Sequence, residues 1–155
     1  VICIGNGARE ALIDYELLDS LTNLNIPLVF GWNAKDILED RHKLNYGCAG
    51  IFGNRYSNLI VQNSNLVLGL GYRFSVPQVG YDPSTYAREA LICAVDVDVN
   101  ESTKGNHFID FFIRSDCYSF LSSFLEEVEL GCQKNCEKWL AHCDALRKRF
   151  KKSET

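Results

Sequence analysis

Short β-branched runs ending in glycine or aspartate alternate along this chain with stretches of helical periodicity, and that alternation admits few folds. "VICIG" (1–5), "IPLVF" (26–30), "LVLGLG" (66–71), "LICAVDVD" (91–98) and "IDFFIRS" (109–115) read as strands. Parallel strands need crossovers of roughly a dozen residues, usually helical, whereas antiparallel ones close through tight turns. The spacing therefore predicts βαβ units, a parallel sheet and helices on both of its faces.

The helical stretches carry the matching stripes. Ala8, Ala11, Leu12, Tyr15 and Leu18 share one face after the first strand, and "NRYSNLIVQN" (54–63) forms a second helix. Asp116 is placed as N-cap of a third, with Cys117, Phe120, Leu121, Phe124, Leu125 and Val128 facing inward. Residues 31–53 hold four glycines and no sustained period, so they read as a functional loop with one helical turn near Asp36 and a short strand near Tyr46. Residues 72–90, "YRFSVPQVGYDPSTYAREA", form a long excursion with a proline turn. The last helix aligns Cys132, Cys136, Trp139, Cys143, Leu146 and Phe150, a docking stripe. His142 beside Cys143 points about 100° away on a helix, which argues against a zinc site.

Composition narrows the classes. With 155 residues the chain fits one domain able to bury roughly two-thirds of its surface. The net charge of −4 comes without a basic stripe, so neither nucleic acid nor an anionic membrane is expected as partner. Seven cysteines, an odd number scattered through apolar segments, suit a reduced, cytoplasmic protein. No apolar run approaches the ~18 residues of a membrane span. The chain opens directly in a core strand, and is expected to be a piece of a longer polypeptide.

Three places could carry chemistry. "GNGARE" (5–10) joins a strand to a helix, where backbone N–H groups could hold an anion or the glycines could simply permit a tight turn. "LVLGLGYRF" (66–74) delivers Arg73 to the carboxyl end of a buried strand, where ligands of open α/β sheets lie; alternatively Arg73 caps a helix or pairs with a carboxylate. "VDVD" (95–98) ends a strand with Asp96 and Asp98, which could accept bonds from a sugar or base or cap the next turn. No Ser/His/Asp set, supported acid dyad or Walker loop occurs, so no self-contained catalytic set is expected.

Taken in order, "GNGARE", "IPLVFGWNAKD", "HKLNYGCAGIFGNRYSNLIVQNSNLVLGLGYRF" and "AREALICAVDVD" resemble the central domain of thiamine diphosphate-dependent enzymes of the acetolactate synthase type, over about residues 1–104. "QVGYDPSTYAREA" (78–90) is similar to a subgroup associated with surface-polysaccharide biosynthesis. The resemblance implies a three-layer α/β/α, Rossmann-like (DHS-like NAD/FAD-binding) domain with a six-stranded parallel sheet, related to sirtuins and electron-transfer flavoproteins. It divides the chain into a central domain, 1–130, and a linker helix, 131–155, leading toward the next domain.

By matched position the family's FAD would touch Gly5, Asn6, Gly7, Gly31, Trp32, Gly50, Gly53, Gly71, Arg73, Asp96 and Asp98. Two departures imply that FAD or ADP binds weakly: His-Pro-Leu has become His42-Lys43-Leu44, and a second arginine after Arg73-Phe74 is replaced by "SVPQVG". Thiamine diphosphate and magnesium would belong to the parent enzyme's other domains, whose motifs these residues lack. The resemblance thus implies a non-catalytic central domain, structural or with a vestigial nucleotide crevice, in a parent carboligase or decarboxylase acting on a 2-oxo acid as a homodimer or tetramer. The competing expectation is a free-standing nucleotide-binding enzyme with a sirtuin-like sheet.

Overall fold

The computed structural model describes residues 1–128 and 133–151. Six strands form one sheet: β1 (Ile2–Ile4), β2 (Leu28–Phe30), β3 (Asn45–Cys48), β4 (Leu66–Leu70), β5 (Leu91–Asp96) and β6 (Phe111–Arg114). All five pairings are parallel, in the order β3-β2-β1-β4-β5-β6. The chain steps outward from β1 to β3, then returns to the other side of β1 with β4. This reversal is the doubly wound topology, and it opens a crevice between the carboxyl ends of β1 and β4.

Strand alternation divides the core between the two faces. Ile2, Ile4, Leu28, Phe30, Leu68, Leu70 and Val95 point into one cluster, with Leu12, Leu21, Cys117 and Leu121 from the helices on that side. Cys3, Val29, Val67, Ile92 and Ala94 point into the other, with Ile60, Val61 and Cys143. Period two along each strand thus yields three layers. The helices are α1 (Arg9–Leu12), α2 (Tyr15–Asn23), α3 (Arg55–Gln62), α4 (Val76–Val79), α5 (Cys117–Glu127) and α6 (Gln133–Lys151).

The first crossover departs from expectation. One helix was predicted through Leu18, but Asp14 takes extended dihedrals and its carboxylate accepts from the N–H groups of Glu16 and Leu17, starting α2 afresh. Tyr15 consequently falls off the buried face and is 85% exposed. The other N-cap stands where expected: Asp116 accepts from Ser119 N at 2.8 Å, and that backbone bond lowers its carboxyl pKa.

The loop region after β2 does contain a strand, β3, joined to β2 through a bulge between Leu28 and Phe30. Gly47 makes the bulge at φ +71°, and a Cβ there would overlap the Asn54 side chain. The helical turn of this region lies at Trp32–Ala34, slightly before Asp36.

Helix α6 lies against α3 and the β3 edge. Cys143 is fully buried, and Trp139, Leu146 and Phe150 pack on the same cluster. Tyr46 donates its hydroxyl to Asp144, while Arg147 donates to the carbonyls of Lys43 and Asn45 with its guanidinium over the Tyr46 ring. Cys132 lies outside the described residues. Burial pushes the Cys3 and Cys143 thiols up to about 12 and Cys117 to about 11, which leaves them protonated packing groups. No helix among the described residues is long and apolar enough to cross a membrane.

Candidate functional site

A cleft of about 660 Å³ opens where the strand order reverses. Its floor is the backbone of two loops in close contact, Gly5 and Asn6 after β1 and Gly71 and Tyr72 after β4. One wall comes from Gly31, Trp32 and Asn33 after β2 and from Ala49, Ile51 and Phe52 after β3. The other comes from Arg73, Ser75, Pro77 and Gln78.

The glycines of the floor serve the crossing of the two loops. A Cβ on Gly5 would overlap the Gly71 carbonyl oxygen, and one on Gly71, whose φ is +53°, would overlap the Gly7 backbone. Their N–H groups are committed to the chain itself: Gly5 to Leu70 O, Gly7 to Gly71 O and Gly71 to Val95 O. The other three expected glycines behave alike. Gly31 donates to Ile4 O, Gly50 to the Asn58 side chain and Gly53 to Gly50 O. Of the alternatives for "GNGARE", tight packing is what these glycines visibly do.

The lips are held by side chains. Arg9, at the start of α1, forks both carboxylate oxygens of Asp36 at 2.7 and 3.0 Å and also donates to the Asn33 carbonyl. This contact lowers the Asp36 pKa. Across the cleft, Gln78 accepts from the N–H and hydroxyl of Ser75, and Ile51 N–H donates to Pro77 O. The wall after β3 is thereby stitched to α4. Trp32 and Phe52, both exposed at the mouth, meet edge to face at 6.1 Å, with Lys35 over the Trp32 ring.

Arg73 occupies the lip after β4, with φ +62°, and Phe74 follows at +42°. The two left-handed residues send Phe74 into an aromatic cluster with Tyr72, Tyr86 and Phe108 and leave Arg73 toward the cleft. Its Nε lies 3.3 Å from Oε1 of Glu101; the arginine side chain is 65% exposed, the glutamate 3%. Of the described residues lining the cleft, Arg73 alone carries a formal charge.

Six of the expected residues, Gly5, Asn6, Gly31, Trp32, Gly71 and Arg73, therefore line one cleft. Gly7, Gly50, Gly53, Asp96 and Asp98 are not part of its lining. Gly7 packs beneath Gly71, and the loop between Gly50 and Gly53 reaches the cleft through Ile51 and Phe52. Asp96 accepts from Asp98 N, and Asp98 accepts from the backbone and side chain of Asn100, so these carboxylates cap the turn after β5.

Gln78 and Glu101 were not foreseen as site residues. Ser75-Val76-Pro77-Gln78 carries a legible signal, a capping box with proline in the first turn. Glu101 carries none, since nothing local marks a carboxylate that folding brings 28 positions back to an arginine.

The cleft can be tested for a nucleotide. Its volume falls in the ~300–1,000 Å³ range of small-molecule sites. Trp32 and Phe52 offer flat apolar surface, and Asn6, Asn33 and Gln78 offer amides, which fit a planar heterocycle. The diphosphate is served less well, because the glycine N–H groups are spent and one arginine remains.

Residues 1–124 match the family described as "Thiamine pyrophosphate enzyme, central domain". The "Probable acetolactate synthase large subunit" of Methanococcus aeolicus is 26% identical over 157 aligned positions, covering 96% of this chain and 26% of its own length. The acetolactate synthase of Mycobacterium leprae is 27% identical over 153 positions, covering 97% of this chain and 24% of its own length. A 3D-(3,5/4)-trihydroxycyclohexane-1,2-dione hydrolase of Clostridium perfringens is 35% identical over 75 residues, 48% of this chain and 12% of its own length. This chain spans about a quarter of the acetolactate synthase relatives it matches. A doubly wound parallel sheet, with the family match running from its first strand into α5, leads to one conclusion: this chain belongs to the thiamine pyrophosphate enzyme central-domain family.

Proposed function

We propose that this chain is the non-catalytic central domain of a thiamine diphosphate-dependent, acetolactate synthase-like enzyme, and that its cleft is a weak, vestigial nucleotide site. The observation that supports it best is the family match over residues 1–124 combined with a nucleotide-sized cleft at the sheet's reversal point. Residues 1–130 would be the domain, and 131–155, whose helix α6 packs back on its core through Cys143, would lead from it toward the next. Thiamine diphosphate and magnesium would be held by the parent's other domains, where a bond next to a carbonyl is made or broken on a 2-oxo acid. The parent would work in the cytoplasm as a homodimer or tetramer; the stretch 78–90 favours the polysaccharide-biosynthesis subgroup.

Were FAD or ADP to bind, Trp32 and Phe52 would hold the planar part, Asn6, Asn33 and Gln78 its polar edge, and Arg73 a phosphate. FAD would supply a redox-active ring, ADP none. With one arginine where a second charge-assisted contact is missing, affinity falls by roughly ten- to a hundredfold.

The coding sequence tests the first half: domain-sized segments of about 150 to 200 residues are expected on each side. A reading frame closing near this chain would favour a free-standing, sirtuin-like nucleotide enzyme. Calorimetry tests the second half, with weak binding of FAD and ADP expected and weaker still for Arg73→Ala. Submicromolar FAD binding would overturn the vestigial reading.

A further inference from the structure

We infer that Glu101 sets which ligands the cleft accepts: by drawing Arg73 to itself it turns the cleft away from phosphate-bearing ligands and toward uncharged planar ones. This rests on reading the cleft as a nucleotide-sized site and names the chemistry of its occupant. Since the expected glycine N–H groups are spent within the chain, attraction for a phosphate within the lining falls to Arg73, its single formal charge; Arg9 is paired with Asp36, and Lys35 lies outside the lining over Trp32. That charge faces a carboxylate 3.3 Å away, and the carboxylate is 3% exposed, so water screens it poorly. An incoming phosphate must share the guanidinium with Glu101 and approach the negative charge behind it.

The pairing is built from both sides. Glu101 sits in the turn after β5, where its own N–H donates to the Asp98 carbonyl. Asp98 caps that turn through Asn100, and Asp96 holds Asp98 N. The two carboxylates that looked like ligand contacts in the sequence thus present the glutamate. On the other side, the left-handed pair Arg73-Phe74 is anchored by Phe74 in the aromatic cluster, which fixes the backbone from which Arg73 reaches Glu101. What remains toward the cleft is aromatic and amide surface, suited to a neutral heterocycle.

The test is calorimetric titration of the 155-residue chain with ADP and with adenosine, for wild type, Glu101→Gln, Arg73→Gln and the double variant. Glutamine keeps an acceptor for Nε and removes the charge. Glu101→Gln is expected to tighten ADP binding about fivefold or more, less at high salt, and to leave adenosine unchanged. The gain should shrink in the Arg73→Gln background, where only the direct repulsion by Glu101 is left to relieve, an outcome a merely structural Glu101 would not produce. Unchanged or weaker ADP binding by a folded Glu101→Gln overturns the assignment. Wild type gives an independent check: adenosine should bind at least as tightly as ADP, and a tenfold preference for ADP overturns the proposal whether or not the variant folds. If ADP binding is equal in both proteins and lost in Trp32→Ala, the cleft reading stands and only Glu101 falls. Absence of binding by both ligands to every protein overturns both.

Discussion

The two lips of the cleft each carry an arginine, and the two are held in opposite ways. Arg9 forks Asp36 with good geometry, yet both partners reach solvent. Arg73 makes one longer contact, but to a carboxylate that folding has taken out of water. The better-looking pair is the weaker constraint. Exposed ion pairs contribute little, because water and salt compete for both partners. A buried carboxylate depends on what surrounds it, and removing a partner is costly while removing the carboxylate is not.

The largest effect comes from removing the ground on which both lips stand. Gly5→Ala drives a methyl into the Gly71 carbonyl, where backbone meets backbone and no side chain can yield. We expect a loss of about 3 kcal/mol or more in urea unfolding, with the cleft lost alongside. A variant of near-wild-type stability would show that the two loops can part.

Next come the two halves of the buried pair. Arg73→Ala should cost about 0.5–2 kcal/mol, well below the figure for a buried pair, since the arginine is largely exposed and Glu101 keeps a further contact of its own. Glu101→Gln should cost less, and adding it to Arg73→Ala should restore part of the loss. Equal costs for the two single variants, measured by denaturant titration, would erase the contrast between the lips.

Asp36→Asn tests the exposed pair and should shift the melting temperature only slightly. The sign with pH follows from the lowered Asp36 pKa: its contribution is present above the unfolded carboxylate value and is lost as pH falls through the lower, folded value. Wild type and variant should therefore converge in acid, and in 1 M salt as well. Smallest of all, Trp32→Ala should leave stability nearly unchanged, because the ring is 61% exposed, while weakening any planar ligand. A large loss of stability would place Trp32 in the core instead.

The same contrast explains what could be read from the chain beforehand. Strands such as Ile2–Ile4 and Leu66–Leu70 announce themselves through local apolar runs, and the six-stranded sheet follows from local signals together with the family resemblance. Asp14 misled because a helix stop and a new start, three residues apart, keep the apolar spacing nearly intact. At the cleft, residues delivered by strand ends, including Gly5, Gly71 and Arg73, were legible because topology alone puts them there. Glu101 was not, since its role exists only after β5 has paired with β4. Asp96 and Asp98 show the converse: a strand-end carboxylate is as ready to cap the next turn as to meet a ligand, and the pattern is the same.

Helix α6 has a consequence in time. Tyr46 and Asp144 are 98 residues apart, and their contact helps hold the outer strand β3. A chain growing from its amino end at roughly 5–20 residues per second presents β3 some 5–20 seconds before Asp144 exists. During that interval β3 can pair with β2 and meet α3, but the Tyr46 hydroxyl and the α6 side of this edge still lack their cover. The first flank of the sheet to be synthesised thus waits for a contact from the last helix, and until then the newborn chain is open to wrong partners at β3.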